Sequence, residues 1–135
     1  MENVRKMGVL STALCALAVL LTSGTASAGL KYTAPVYVDA ANRYANGGLG
    51  YARNTSNGVE YIGCSISQYS GSASMFCSAR NAAGSSVSCY STDAAFIDAA
   101  RTLGIDEYLS FSANTSGYCT NLYVEHYSYN QPKVL

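Results

Sequence analysis

Tryptophan is absent from this chain, histidine occurs once and proline only twice in 135 residues. With His126 as the sole histidine and no two cysteines spaced two to four residues apart, the usual structural zinc patterns are excluded. No G-x-S-x-G elbow is present, so the many serines come with the composition and not with a nucleophile motif. No D-x-D-x-D calcium loop occurs either. Basic residues are few, eight Lys and Arg against eight Asp and Glu, so no positive field exists to neutralise a phosphate backbone. Nucleic acid and anionic membrane surfaces are not expected partners. Neither a cofactor nor a metal ion is implied.

What is present begins with an export signal. Arg5 and Lys6 precede an apolar run over residues 7–21, and small residues follow, ending in Ala26-Ser27-Ala28. This is the charged, apolar, small-residue order of a cleavable signal peptide over residues 1–28, cut before Gly29. The apolar run is shorter than the roughly 20 residues a membrane span needs, so no span is expected after cleavage. Cys15 sits in the middle of the run behind Leu14, which is no lipid-attachment site, and it leaves with the signal. The remaining residues, 29–135, carry six basic and seven acidic groups once Arg5, Lys6 and Glu2 are gone, a net charge of −1. They form one domain with a modest core. Its four cysteines, Cys64, Cys77, Cys89 and Cys119, read as two disulfides of a secreted or periplasmic protein.

All 12 tyrosines lie in this domain, in a setting of Ser, Thr, Asn and Gly that suits β-sheet. Residues 33–39 alternate as a first strand, at a sheet edge because of Pro35. Residues 40–48 are less regular and break at Gly47-Gly48. Residues 49–55 read as a strand ending at the Asn57-Gly58 turn. Strands follow over 59–67, 73–81 and 86–91, with Ile62, Cys64 and Ile66, then Met75, Cys77 and Ala79, then Val87 and Cys89 facing inward. The period then changes. Phe96, Ile97, Ala100 and Leu103 form the stripe of one helix, capped by Thr92, with Asp93 in its first turn, Arg101 near its end and Gly104 as C-cap. Residues 107–113 and 118–128 complete the chain as a hairpin. The predicted fold is mainly β with one α-helix, an antiparallel meander or sandwich-like sheet stapled by disulfides.

Register arithmetic places Cys64 opposite Cys77, and Cys77 opposite Cys89. Two pairings satisfy this row, 64–77 with 89–119 and 77–89 with 64–119. The first is favoured, because its second bridge ties the helix insertion to the last hairpin.

Functional candidates are sparse. His126 reads as a surface residue of the last strand. Asp93, Asp98, Asp106 and Glu107 cluster around the helix and read as solvated surface. Asn54 and Asn114 begin Asn-x-Ser/Thr tripeptides, which matter only in a eukaryotic secretory pathway. Tyr118, Tyr123, Tyr127 and Tyr129 crowd the C-terminal end and form the candidate binding face, with Tyr123 and Tyr127 on one strand face. An inhibitor would need a rigid exposed loop, for which residues 69–72 beside a disulfide are the candidate.

Residues 49–64 (LGYARNTSNGVEYIGC), the spaced Cys77, Cys89 and Cys119, and residues 129–133 (YNQPK) resemble a group of small exported bacterial proteins. In that group an Ala-Arg-Asn segment leads into Gly-Cys and three further cysteines follow. The resemblance spans about residues 48–133 and implies an exported β-rich bacterial domain, with no mechanism attached. It makes Arg53, Gly63 and the cysteines structural, with Arg53 expected to pair with a carboxylate such as Glu107. The functional expectation is a non-enzymatic binding or structural module of the cell envelope or extracellular matrix, taking a protein or surface component as partner. A small secreted enzyme inhibitor or hydrolase is the alternative. Intact-mass measurement checks the compartment: the exported protein should begin at Gly29 and expose four alkylatable thiols only after reduction. Retention of residues 1–28, or free thiols without reduction, contradicts it.

Overall fold

The computed structural model describes residues 29–132, so residues 1–28, where the signal peptide is expected, and residues 133–135 lie outside the described residues. Seven strands run in the order β1 (Tyr37–Asp39), β2 (Tyr44–Gly48), β3 (Tyr61–Tyr69), β4 (Ser72–Arg80), β5 (Ser86–Ser91), β6 (Tyr108–Ala113) and β7 (Cys119–Glu125). Helix α1 (Leu49–Asn54) separates β2 from β3, and α2 (Ala94–Arg101) separates β5 from β6. The strands form two antiparallel sheets, β1-β2-β6-β7 and β3-β4-β5. The fold is thus mainly β and sandwich-like: β6 returns to pair with β2 and does not extend the β3-β4-β5 meander.

Alternation dictates which sheet faces meet. Ile62, Met75, Cys77, Ala79, Val87 and Cys89 of the three-stranded sheet share one core with Val38, Ala45, Leu109 and Phe111 of the other. Ile97 and Ala100 of α2 close it. The cysteine row is in place, with Cys64 opposite Cys77 and Cys77 opposite Cys89. Bridges join Cys64 to Cys77 and Cys89 to Cys119. The first lies within one sheet. The second ties β5 to β7 and so fastens one sheet to the other.

Several local expectations are corrected. Residues 49–55 are not a strand: six of them form α1, and Thr55 Oγ1 donates to the Ala52 carbonyl at its end. A helix this short shows too little of the 3.6-residue period to outweigh an apparent alternation. Gly50 is buried within it, and a Cβ there would collide with the Gln131 carbonyl of the crossing C-terminal segment. Among the described residues there are therefore two helices. The Gly47-Gly48 pair is no break but the end of β2. A Cβ at Gly47 would stand 3.0 Å from the Val36 Cα, so glycine is required by close backbone approach. Strand β1 occupies only the second half of the expected segment, at the predicted sheet edge.

The expected cap of α2 moves by one residue. Asp93 is the N-cap, its Oδ1 accepting from the Ala95 N–H at 2.8 Å. At the other end Thr102 is the C-cap, and its Oγ1 donates to the Ala99 carbonyl at 2.8 Å. Gly104 serves a different purpose: the Glu107 carboxylate fills the space its side chain would take. The expected Arg53–Glu107 pair is replaced as well. Arg53 lies on α1 and not in a strand, and Glu107 engages His126.

The two bridges close loops of unequal length, 13 and 30 residues of separation. In the chain-entropy model these are worth about 3 and about 3.7 kcal/mol. Urea unfolding should therefore show Cys89→Ala/Cys119→Ala to be the costlier double substitution. Equal losses for the two pairs would contradict the assignment of the longer bridge as the inter-sheet tie.

Candidate functional site

The outward face of the four-stranded sheet follows from the register. With Ala45, Leu109 and Phe111 committed to the core, their alternates turn outward: Tyr44 and Asn46 on β2, Tyr108 and Ser110 on β6, Tyr123 and Glu125 on β7. Tyr44 faces Ser112, Asn46 faces Ser110, Ser110 faces Tyr123 and Tyr108 faces Glu125 across the strands. The two ends of the domain then build a wall. The Tyr32 N–H donates to the Tyr129 carbonyl at 2.7 Å, and Tyr32 bridges Asn130 in parallel. The result is a recess of about 620 Å³ lined by tyrosines 32, 44, 108, 123 and 129, with Leu30 and Glu125 at its sides and buried Ser110 among them. That volume falls in the range of small-ligand sites.

Glu125 organises the recess. Its Oε1 accepts from the Tyr129 hydroxyl at 2.7 Å and its Oε2 from the Tyr123 hydroxyl at 3.0 Å. Asn130 Nδ2 donates to the Glu125 backbone carbonyl, holding the C-terminal segment against the strand end. Tyr44 accepts from Asn46 Nδ2 at 2.8 Å. The hydrogen bond to Glu125 raises the Tyr129 phenol to about 12, helped by burial and the carboxylate charge. Burial first, then Tyr44, Tyr32 and Glu125, raises Tyr108 to about 12. Tyr123 is raised through its bond to Glu125. These phenols stay neutral donors well beyond physiological pH, and among the described residues Glu125 is the one ionic side chain lining the recess.

The four tyrosines of the sequence reading are separated by the structure. Tyr123 and Tyr129 line the recess. Tyr127 stacks on Tyr129, centroids 4.8 Å apart, but lies beyond the end of β7 and so shares no strand face with Tyr123. Tyr118 lies elsewhere, edge-on to Tyr90 beside the three-stranded sheet. Sequence reasoning missed Tyr32, Tyr44 and Tyr108. The 108–112 alternation, with Leu109 and Phe111 inward, already places Tyr108 and Ser110 outward. No local signal brings Tyr32 to Tyr129.

His126 occupies a separate cluster past β7. Its Nδ1 lies 3.2 Å from Glu107 Oε1 and its Nε2 3.2 Å from Thr102 Oγ1. The chain Thr–His–Glu has the order of a hydrolytic triad, but the Thr102 proton is committed to the Ala99 carbonyl. With Nδ1–H donating to the Glu107 carboxylate, the neutral imidazole presents Nε2 as an acceptor, and it competes with the Ala99 carbonyl for the one Thr102 proton. Of the helix-associated acids, Asp93 caps α2 and Asp98 pairs with Arg101 at 2.7 Å. Residues 69–72 make a tight turn, with Tyr69 paired to Ser72 and Gly71 at φ 81°. The Cys64–Cys77 rung lies five residues along β3 from Tyr69, so the turn is not beside the disulfide as expected. Among the described residues no helix is long and apolar enough to cross a membrane, and no group of three or more His, Cys, Asp and Glu side chains is placed to hold a metal ion.

The raised phenols carry a sign. The folded state holds these protons more tightly than the unfolded chain, so the linked stability is full below pH 10 and lost between about 10 and 12. Absorbance titration of the phenolates, with circular dichroism as the fold monitor, should show a late-ionising class near 12. Ionisation of every tyrosine together near pH 10 in the folded protein would contradict the geometry.

A scan against protein-family models and searches of curated proteins and of solved structures each give no match, so the site stands on its own geometry.

Proposed function

We propose that this protein is an exported, non-enzymatic binding module, secreted or periplasmic, and that the tyrosine-lined recess is its site. The observation that carries the reading is convergence. Tyrosines from the N-terminal segment, β2, β6, β7 and the C-terminal segment meet around one carboxylate that two of them hold by hydrogen bonds. Tyrosine gives large rigid contact area at low entropic cost, which is the chemistry of recognition surfaces. Two disulfides in a domain with no long apolar helix among the described residues fit an oxidising compartment outside the cytoplasm. The bacterial exported group that the sequence resembles fits the same setting, with an envelope or matrix component as partner.

The hydrolase alternative rests on the Thr102–His126–Glu107 chain, in which the threonine proton is given to the Ala99 carbonyl. The inhibitor alternative rests on a turn that is short and remote from the disulfide.

Amide chemical-shift mapping tests the binding reading. Neutral disaccharides, short peptides, organic cations and organic anions would be titrated into the purified disulfide-bonded protein. At least one class should move the amides of Tyr44, Tyr108, Tyr123 and Tyr129 saturably. Tyr108→Ala should weaken that ligand by about tenfold or more, and Tyr118→Ser should leave it unchanged. Shifts mapping only to the three-stranded sheet, or none with any class, would overturn the assignment.

A further inference from the structure

We propose that the recess recognises an organic cation without hydrogen-bonding needs, a quaternary ammonium head group carried on a larger molecule. This rests on the recess being the binding site, and it names the chemistry that site selects.

Three features point the same way. The first is charge: among the described residues Glu125 is the one ionic side chain lining the recess, and its tyrosine neighbours hold their protons, so its negative charge is unopposed within that lining. The second is ring arrangement. Tyr32 and Tyr129 stand at 80° with centroids 5.9 Å apart, and Tyr108 and Tyr123 stand at 72° with centroids 6.5 Å apart. In the proposed site these two perpendicular pairs supply the walls of a cage, with one face of Tyr129 already stacked on Tyr127. A pyranose, by contrast, lies flat on an open ring face. Electron-rich ring faces around a desolvated cation are the usual means of holding a quaternary ammonium.

The third feature is hydrogen-bond bookkeeping. The Tyr123 and Tyr129 protons are given to Glu125, and the Tyr44 oxygen already accepts from Asn46. With the Tyr108–Tyr44 hydrogen bond added, four of the five lining phenols hydrogen-bond within the site. A sugar or a peptide backbone entering it would exchange its hydrogen bonds to water for few in return, an unfavourable trade. A quaternary ammonium has no N–H to satisfy and asks only for negative potential and apolar contact. The recess is far larger than such a head group, which leaves room for the rest of the ligand.

The probe is tetramethylammonium, compared with neopentyl alcohol as a water-soluble stand-in for its neutral isostere and with a neutral disaccharide, again read by amide shifts on the disulfide-bonded protein. Saturable shifts at Tyr108, Tyr123 and Glu125 with the cation, and at least tenfold weaker binding of the isostere, support the proposal. Shifts at those residues with the disaccharide or the isostere, equal to or stronger than with the cation, overturn the cation assignment and leave the recess as a binding site. No shift there with any of the three, or with the wider panel, overturns both. Tyr108→Phe keeps the ring and should bind within about twofold, whereas Tyr108→Leu should lose about tenfold. Equal binding by both variants, with native amide spectra, would overturn the cage. Phosphocholine vesicles and a trimethyllysine peptide then separate the two sources of the same head group, a lipid or a modified protein.

Discussion

The Cys89–Cys119 bridge is the constraint on which the rest of the arrangement depends. Strand β7 carries Tyr123 and Glu125, and it enters the structure at Cys119, fastened to the buried Cys89 of the other sheet. The bridge fixes where β7 starts, and the two-residue alternation then fixes which of its side chains face out. A slip of one residue would send Leu122 and Val124 outward and turn Tyr123 and Glu125 into the core. Burying an ionised carboxylate there without compensation is far costlier than the slip could recover. The covalent tie and the hydrophobic pattern therefore enforce the same register, and the recess inherits it.

The ends of the domain supply what the sheet cannot. A flat outward face would leave Tyr44, Tyr108 and Tyr123 as a solvated surface. The pairing of Tyr32 with Tyr129 and Asn130 raises one side of that face into a wall. The same C-terminal segment runs on across α1, where Gly50 admits the Gln131 backbone and Asn54 Nδ2 donates to the Pro132 carbonyl. Helix α1 is thus linked to the recess through one crossing strand of chain. This gives the Ala-Arg-Asn segment a structural place: it shapes the seat for the C-terminal crossing, while Arg53 itself stays on the exposed side.

What the sequence made legible was the part governed by short periods. The inward faces of β3, β4 and β5, the cysteine row and the stripe of α2 all rest on side-chain alternation or a helical repeat within one element. The failures have a common cause. Gly47 reads as a break until Val36 is seen lying against it, and Gly50 reads as strand until Gln131 is seen crossing it. Gly104 reads as a cap until Glu107 fills its missing side chain. In each case the glycine answers to a neighbour it meets only in three dimensions. The tyrosines follow the same rule. Crowding near the C-terminus singled out Tyr118 and Tyr127, whereas register and chain closure assemble Tyr32, Tyr44 and Tyr108 from distant positions.

Proton placement separates the two polar clusters of the molecule by what each can do. Around His126, the Thr102 hydrogen is held by a helix-end carbonyl, so the cluster anchors the segment after α2 to the segment after β7. Around Glu125, the Tyr123 and Tyr129 hydrogens are held by the carboxylate, and one face of Tyr129 is stacked on Tyr127. A catalytic site needs a mobile proton and a group to receive it. Around His126 the Thr102 proton is given to the Ala99 carbonyl, and around Glu125 the Tyr123 and Tyr129 protons are given to the carboxylate. A recognition site needs the reverse, a fixed charge and a rigid surface whose polar groups do not reorganise when the ligand arrives. Under the proposed binding role, the two phenol bonds fix the Glu125 carboxylate before any ligand enters.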